Sequence, residues 1–442
     1  LMNTSVIKPA KFLLPEEKIN MKKWAVVACD QFTSDYDYWE NVRRFVGNAP
    51  STLNMILPEI YLNEPDCSER IALAKETMEQ YVSEGVLEET PEGFMLIERQ
   101  IGGAVRKGVL AAIDLEEYSF NEEEKPTVRA TEKTILERIP PRVAIREDAL
   151  LELPHVLILI DDPEDNVIGS LLRKKAELTA MYDFDLMENG GHITGYFTDD
   201  ERIKKNVLDA VNKLNVKDNM RFCVGDGNHS LATAKTVWEN AKAEMTEEEK
   251  EVSPLRYALA EIVNLRDDGL TMMPIHRALM NVSPASCIQR VCDILNEKGL
   301  GAKLMYTRHS KNLKPDGGEY TIYVKTKQTM GKIEITKPAH LLAAGDVEPA
   351  LMQYLEENPS AQIEYLHGDS QFNSFADMYD TVCFYMPPIK KEDFFDTVIK
   401  CGVLPKKTFS LGEANEKRYY IEGRLLRQIE AQSEEDQEKT KE

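Results

Sequence analysis

The spacing of apolar residues along the chain predicts both helices and strands, in no regular alternation. Apolar residues at helical spacing indicate amphipathic helices, and short unbroken apolar runs indicate buried strands. The predicted helices span residues 38–46, 65–84, 199–214, 230–243, 284–298 and 391–401. The predicted strands span residues 23–29, 93–98, 106–115, 156–160, 193–197, 221–224, 320–325 and 378–386, while 257–263 and 419–429 fit either element. The irregular order predicts an α+β fold with mixed sheets.

Two connections are also predicted by local signals. Gly102-Gly103 separates the runs 93–98 and 106–115, which favours a β-hairpin. Farther along, the strand 221–224 passes through two glycines into the helix 230–243, which predicts a strand-to-helix corner.

The length of 442 residues is too great for one ordinary hydrophobic core. The clearest polar break lies at 246–253. We therefore predict an N-terminal α+β domain at 1–245 that carries the corner, a C-terminal α+β domain at 252–430, and an acidic, flexible tail at 431–442.

Charge and composition restrict the classes of function. Asp and Glu number 76 against 54 Lys and Arg, a net charge of −22, which disfavours binding to nucleic acid. No apolar run approaches the roughly 20 residues that span a bilayer, and no signal peptide precedes the first strand. The seven cysteines form no CxxC pair, which is typical of a reducing compartment. We expect a cytoplasmic protein without membrane partners.

The segment Gly225-Asp226-Gly227-Asn228-His229-Ser230 carries the strongest chemical signal. Glycine permits positive φ and close approach of a ligand, and the first turn of a helix presents free N–H groups that suit an anion. Asp226 and His229 could transfer protons, and Asp226 could hold a metal ion. The alternative is a tight turn in which Asn228 or Ser230 caps the helix. We favour a phosphate site because Asp, Asn and His stand together at a helix start.

Other candidates have structural explanations of equal simplicity. Asp30 ends a buried strand, where both catalytic and turn-forming carboxylates occur. The segment 129–138 contains two arginines, two threonines and a glutamate: Arg129, Thr131, Glu132, Thr134 and Arg138. These residues could bind phosphate, or they could form the solvated start of a helix. His276 and Arg277 are predicted at a strand end, and Lys407 in a turn. We expect no catalytic role for the remaining histidines, His155, His192, His309, His340 and His367.

Several segments, taken together and in order, resemble the bacterial and archaeal family called domain of unknown function 1015. The matching pieces are Asp30, Arg129-Ala-Thr-Glu132-Lys-Thr134 with Arg138, Asp226-Gly-Asn-His229, Gly269-Leu-Thr-Met-Met-Pro274-Ile-His276-Arg277, Ile363-Glu-Tyr-Leu-His367-Gly368 and Leu404-Pro405-Lys-Lys407-Thr408. The resemblance runs from about residue 7 to 426. It departs at Asn228 and Ser230, where the family usually has His and Arg, so one strong anion clamp is absent.

The Asp-Gly-x-His box is similar to the phosphate-binding box of the ParB/sulfiredoxin-like superfamily, which includes nucleotide-dependent free-serine kinases. The resemblance implies a phosphate-binding core and phosphoryl transfer on a small metabolite, with a serine kinase or phosphoserine phosphohydrolase as the leading hypothesis. It also implies ADP or ATP and Mg²⁺, with Asp226 as the metal ligand. In this hypothesis Gly225, Gly227, Asn228 and Ser230 hold phosphate, and Asp30 or Glu132 is the general base. The phosphate or nucleotide is also bound by Thr131, Thr134 and Arg277, and its charge is neutralised by Arg129, Arg138, His276 and Lys407.

Two other classes of function stay open at this point. The same pocket could serve a non-catalytic regulatory protein that binds a nucleotide or a phosphorylated metabolite. A protein-interaction or DNA-segregation module is the third alternative, and the acidic charge speaks against it. The oligomeric state is not determined by the sequence, and a homodimer is one alternative.

Overall fold

The computed structural model of the protein describes residues 5–307 and 318–428. The predicted acidic tail at 431–442 and His309 lie outside them. The helices are α1 Met21–Trp24, α2 Tyr36–Val46, α3 Cys67–Ser83, α4 Ile139–Arg146, α5 Ile168–Leu172, α6 Glu201–Asn212, α7 Asn228–Lys242, α8 Glu247–Val252, α9 Pro284–Glu297, α10 Ala343–Glu357, α11 Gly368–Ala376 and α12 Phe394–Cys401.

The strands are β1 Ile7–Lys8, β2 Ala10–Pro15, β3 Val26–Val27, β4 Leu87–Ile101, β5 Ala104–Asp114, β6 Tyr118–Ser119, β7 Val128–Arg129, β8 Leu151–Glu152, β9 Leu157–Ile160, β10 Thr179–Asp185, β11 His192–Thr198, β12 Phe222–Asp226, β13 Tyr257–Asn264, β14 Met272–Met280, β15 Ala302–Thr307, β16 Thr321–Lys325, β17 Met330–Ile335, β18 Gln362–His367, β19 Thr381–Tyr385, β20 Phe409–Leu411, β21 Tyr419–Tyr420 and β22 Arg424–Leu425.

A large mixed sheet carries the first half of the chain. Its strand order is β10-β11-β4-β5-β13-β9-β12-β7-β6, with β1 added to β5 and β2 to β4. The β13–β9 and β12–β7 pairs are parallel, and β4 and β5 form the predicted hairpin around Gly102-Gly103. The α+β fold with mixed sheets is therefore confirmed.

A second, antiparallel sheet has the order β15-β17-β16-β19-β14-β18, with β20 paired to the start of β14. The helices α9 and α10 supply apolar residues to the core that lies on this sheet. The predicted domain boundary at 246–252 stays a prediction, and β13, which follows it, lies in the large sheet between β5 and β9.

Some local predictions were wrong for identifiable reasons. The run 23–29 contains the end of a short helix, Met21–Trp24, which Asn20 caps, followed by the two-residue β3. Trp24 and β3 are both buried, so an unbroken apolar run does not separate the helix end from the strand. The polar break at 246–253 contains α8, which a capping box between Thr246 and Glu249 stabilises. Pro274 lies within β14. At Pro274 this strand pairs with β20 alone, so the missing N–H of proline is tolerated as it is on an edge strand. Beyond Pro274, β14 continues between β18 and β19.

The end of the described chain returns to its beginning. The strand β21 pairs with β3, and β22 pairs with β8. This return brings residues 404–420 against the corner between β12 and α7, and so places C-terminal side chains in the site. In the described part of the chain, no helix combines the length and apolar character needed to cross a membrane.

Candidate functional site

A cavity of about 820 Å³ lies at the corner between β12 and α7. Of the residues predicted from the sequence, it is lined by Asp30, Glu132, Thr134, Arg138, Gly225, Asp226, Gly227, Asn228, His229, Ser230 and Lys407. Other polar residues that the sequence analysis did not assign also line it, among them Glu59, Arg142, Arg146, Glu152, His155, His367, Lys406, Lys417 and Tyr420. Groups from both ends of the chain therefore meet at one place.

The corner itself is held by a left-handed glycine. Gly227 has φ +84° and serves as the N-cap of α7 without any side-chain capping hydrogen bond. Its N–H donates to Oδ1 of Asp226 at 3.1 Å, and α7 begins at Asn228, two residues earlier than predicted. The amides of the first turn have no partner within the helix, and the residues that carry them line the cavity. The alternative in which Asn228 or Ser230 caps the helix does not agree with this geometry.

Asn228 and Thr131 join the corner to the neighbouring segment. The Oδ1 atom of Asn228 accepts from the backbone N–H of Thr131 at 3.0 Å, and its Nδ2 donates to the Thr131 hydroxyl at 3.1 Å. That hydroxyl donates to the carbonyl of Val224 at 2.7 Å. Both side chains are buried. Their hydrogen bonds hold the adjacent residue, Glu132, in the cavity lining next to the corner.

His229 is a neutral imidazole at neutral pH. Burial, together with the positive charges of Arg138 and Arg142, lowers its pKa to about 4. Its Nε2 accepts a hydrogen bond from the N–H of Ile135 at 3.2 Å, so the ring hydrogen lies on Nδ1. A neutral histidine with one free N–H can donate a hydrogen bond to a ligand oxygen.

Glu132 is a carboxylate without a partner. Among the described residues no group donates a hydrogen bond to its side chain or forms an ion pair with it. Burial raises its pKa, and the charge of Asp226 adds to this effect, while Lys407, Lys417 and Lys406 oppose it. A carboxylate with a raised pKa is a better proton acceptor near neutral pH than an ordinary one.

Asp30 occupies the opposite wall, just after β3. Its carboxylate accepts from Nε2 of Gln31 at 3.1 Å and lies 3.7 Å from Nε2 of His155. Burial alone would raise the pKa of Asp30, but His155, Gln31 and Lys417 together hold it below its ordinary value. Asp30 is therefore ionised and partly exposed to the cavity, with 28% of its side chain accessible.

Three cations in the cavity have no carboxylate within ion-pair distance in the described part of the chain: Arg138, Lys406 and Lys407. Thr134 adds a buried hydroxyl that lacks a hydrogen-bond partner there. The whole chain carries a net charge of −22, whereas these three cations lie beside the positive end of the α7 dipole. The local electrostatic potential therefore differs from that of the chain as a whole and favours an anion.

Four predicted residues lie outside the cavity lining or use their polar groups elsewhere. Arg129 donates to the backbone and carboxylate of Asp218. Thr131 is used at the corner, as described above. His276 lies in the middle of β14, stacked on Tyr385 at 3.8 Å, where its Nδ1 accepts from Met386 N–H. Arg277 is fully buried and pairs with Glu348 at 2.9 Å.

The metal prediction was tested against the donor groups. Within 5–307 and 318–428 there is no group of three or more His, Cys, Asp or Glu side chains arranged to hold a metal ion. Both oxygens of Asp226 already have partners, Gly227 N–H and Lys417 Nζ. Because Mg²⁺ commonly binds one or two carboxylates together with phosphate oxygens, Asp226 and Glu132 fit an ion shared with a ligand rather than a protein cage.

The residues that the sequence analysis missed have a common cause. His155, Lys417 and Tyr420 stand far from the corner in the chain, and no local motif marks them. His367 belongs to a motif of the family resemblance but was assigned no role at the site. Lys406 is different, because it directly precedes the predicted Lys407 and the same turn could have indicated it.

The fold and the cavity together define the class: an α+β protein with a cavity lined by charged groups of both signs at a strand-to-helix corner. A family model described as "Protein of unknown function (DUF1015)" matches residues 7–347. The chain belongs to this family, which confirms the resemblance inferred from its motifs. Lys406, Lys407, Lys417 and Tyr420 of the cavity lie beyond the matched residues.

Solved structures give weaker similarities. A conserved hypothetical protein from Pyrococcus furiosus has 12% identity and a TM-score of 0.37, covering 72% of this chain and 95% of its own. A free serine kinase mutant in complex with ADP has 10% identity and a TM-score of 0.39, covering 73% and 94%. SbnI from Staphylococcus aureus, with a C-terminal truncation, has 9% identity and a TM-score of 0.32, covering 68% and 81%. A search of curated proteins finds no match.

Proposed function

We propose that this chain is a phosphoryl-transfer enzyme that acts on a small metabolite and that the cavity at the corner is its active site. One observation carries the proposal: the start of α7 meets three cations there, beside the carboxylate of Glu132, and none of these four side chains has an ion-pair partner within 5–307 and 318–428. Phosphoryl transfer depends on positioning and on electrostatic stabilisation of the phosphate oxygens, with a base for the attacking hydroxyl. These are the groups that the cavity provides.

The chemistry assigns a part to each group. The amides at the start of α7, Lys406, Lys407 and Arg138 would bind the phosphate oxygens, and the Nδ1–H of His229 would donate to one of them. Asp30 or Glu132 would accept the proton of the acceptor hydroxyl as its oxygen bonds to phosphorus. The bond from phosphorus to the nucleotide oxygen breaks, and that oxygen leaves with the electron pair.

The donor in this proposal is ADP or ATP, and the first acceptor to test is free serine, which the family resemblance implies. When bound, Mg²⁺ would neutralise phosphate charge, with Asp226 as the carboxylate that would hold it. In the hydrolytic direction, a water molecule replaces the hydroxyl and phosphoserine is the substrate.

The test is a transfer assay with labelled ATP or ADP against serine and a panel of small hydroxyl compounds. We expect transfer by the wild-type protein, and large losses in D30N, E132Q, D226A and H229A, each assayed separately. The matched control is H192N, because His192 is exposed on the β10–β11 hairpin and does not line the cavity. The absence of transfer by the wild-type protein with every donor and acceptor would overturn the proposal.

One feature favours a second candidate, a regulatory protein that binds a nucleotide or a phosphorylated metabolite without turnover. Ser230 stands where the family pattern has arginine, so the first turn of α7 lacks one clamp on the transferred group. In that case ADP raises the melting temperature of the wild-type protein while no product forms. Product formation with any acceptor excludes this candidate.

A further inference from the structure

Two buried arginines lie opposite each other near the turn of the β4–β5 hairpin. The register pairs Arg99 of β4 with Arg106 of β5, and these residues are only 1% and 7% exposed. Side chains of directly paired residues project from the same face of a sheet, where like charges destabilise the pairing. Arginine does not relieve such repulsion by losing its proton at neutral pH. The hairpin therefore holds two neighbouring positive charges that are shielded from water.

Arg99 makes hydrogen bonds without gaining a counter-charge. It donates to three backbone carbonyls at 2.9 Å each, those of Gly190, Asn415 and Lys417. Burial lowers the pKa of Arg99 to about 9, and the charge of Arg106 adds to this effect, so Arg99 is still protonated at neutral pH. Within 5–307 and 318–428, neither arginine has a carboxylate within ion-pair distance. A buried charge that lacks such a partner is strongly destabilising.

Arg106 also has N–H groups to spare. Its one side-chain hydrogen bond to the described residues runs from Nη1 to the carbonyl of Glu416 at 3.5 Å, longer than an ordinary bond of this kind. Its Nε is buried without any acceptor among those residues. A guanidinium group has five donors, and buried donors that lack an acceptor cost free energy. An acceptor from outside the described chain would remove this cost.

A small cavity is lined by both arginines and shares only Leu411 with the lining of the cavity at the corner. Its volume is about 40 Å³, which is room for one small ion or a few water molecules. Gly269 forms one wall and approaches β5 so closely that a Cβ atom there would lie 2.1 Å from the carbonyl oxygen of Val105. Gly412 of the C-terminal return forms another wall. Both arginines thus border a space of the size of a monatomic ion.

The charged side chains buried around the hairpin add up to one excess positive charge. Arg418 pairs with both Glu261 and Glu422 at 2.8 Å. Arg418 and Glu261 also act on the pKa of Arg99, so these groups form one cluster. With Arg99 and Arg106, the cluster has three cations against two carboxylates, a net charge of +1. One monovalent anion would balance it.

We infer that Arg99 and Arg106 bind one monovalent anion with the size of chloride in the cavity that they line. The charge count sets the valence, the volume sets the size, and the guanidinium groups supply charge-assisted donors. The anion connects Arg106 to the segment 411–416, which leads directly into Lys417, the partner of Asp226. The inference does not depend on the proposed function, because the site is separate from the cavity at the corner.

Glu416 is the carboxylate in the cavity lining that opposes anion binding. Its Oε2 accepts from the N–H of Glu413 at 2.9 Å, within its own turn, and it lies beyond ion-pair distance of both arginines. In E416Q, the amide oxygen keeps the hydrogen bond to Glu413 while the negative charge is lost. Chloride should therefore bind roughly fivefold more tightly to E416Q than to the wild type. An affinity that does not increase in E416Q contradicts an anion beside this carboxylate.

The chloride dependence of thermal unfolding tests the site. Sodium chloride and sodium gluconate are compared at equal ionic strength, because gluconate is too large for the cavity. The melting temperature of the wild type should rise saturably with chloride, by about 2 °C at ten times the dissociation constant. R106M removes one of the two guanidinium groups and should lose this rise. The matched control is R44M, which removes an exposed arginine on α2 and should keep the rise in full.

The comparison of the two salts separates anion binding from packing. In gluconate, R106M should be at least as stable as the wild type, because one of two repelling charges is gone. In chloride, the wild type should gain stability and R106M should not. A merely structural role of Arg106 would lower the melting temperature of R106M equally in both salts, and that result overturns the inference.

Bromide locates the site directly, because its anomalous scattering marks its position in crystals of the wild type. A peak within hydrogen-bond distance of both guanidinium groups supports the site, also when R106M fails to fold. The absence of a peak there overturns it. A peak without any chloride-dependent rise in melting temperature indicates an adventitious ion only and overturns it as well.

Discussion

The Nζ atom of Lys417 lies 3.2 Å from Oδ2 of Asp226, although the two residues stand far apart in the chain. The same Nζ donates to the Ser410 hydroxyl at 3.2 Å. The Lys417 and Asp226 side chains are only 10% and 22% exposed, so this pair is largely removed from water. The ion pair therefore connects the C-terminal segment 404–420 to the turn between β12 and α7.

This pair predicts a specific pattern of stability. In K417M, the Asp226 carboxylate is left mostly buried without its partner, and the free energy of unfolding should fall by about 3 kcal/mol. In the double variant K417M/D226N, the unpaired charge is also removed and part of the loss should return. Urea unfolding of the wild type, K417M, D226N and K417M/D226N measures the coupling. Strictly additive losses would show that the pair contributes nothing to stability.

The left-handed glycine of the corner should not accept a side chain. In G227A, a Cβ atom would lie 3.0 Å from Cγ2 of Val156 at a φ of +84°, which costs about 1 kcal/mol from the backbone alone. The start of α7 must then shift, and ADP binding measured by calorimetry should weaken. The control is G102A, with a φ of +60° and open space around it. G102A should lose stability and keep its affinity for ADP; equal affinity in G227A would contradict the role of the corner.

Lys407 should contribute directly to anion binding. It has no carboxylate partner among the described residues, and its charge reaches Glu132, His229 and His367. In K407M, the affinity for ADP should fall by roughly tenfold, because one charge-assisted hydrogen bond is lost. The remaining affinity should also depend less on salt concentration. K303M, which removes an exposed lysine on β15, should leave both quantities unchanged.

The buried His276 predicts a loss of stability in acid. Burial lowers the pKa of His276 from 6.5 to about 4. Asp369 opposes this shift, whereas Arg277 and His367 add to it. The unfolded chain therefore binds the proton more tightly, so this stability is present above pH 6.5 and is lost as the pH falls toward 4. Between pH 7 and pH 5 the loss from this group is about 2 kcal/mol.

The measurement is urea unfolding of wild type and H276N at pH 7 and pH 5. Asn keeps an acceptor for Met386 N–H, and the acid-induced loss should be smaller in H276N by about the amount just given. H192N serves as the opposite control: the hydrogen bonds of Asp185 and Asp183 raise the pKa of His192, so its contribution is lost as the pH rises. An acid-induced loss that is identical in wild type and H276N would contradict the assignment.

The predicted elements that the structure confirms share a physical origin. The helices α2, α3, α6 and α9 and the β4–β5 hairpin arise from local periodicity and turn residues, which need no knowledge of distant partners. The extent of β14 was misjudged, because His276 and Arg277 were predicted at a strand end, whereas β14 continues past them to Met280 and tolerates Pro274 at its pairing with β20. His276 and Arg277 consequently changed from predicted ligands of phosphate to buried residues of a sheet.

The sequence by itself determines the corner, since two glycines between a buried strand and an amphipathic helix leave the chain few other conformations, and the motifs around it indicate the family. Only the tertiary structure decides which groups surround that corner. Lys406, Lys417 and Tyr420 line the cavity there because β21 pairs with β3 and the C-terminal segment returns to this side of the protein. Such contacts depend on pairing between strands that are distant in the chain, and they cannot be predicted from a local pattern of residues.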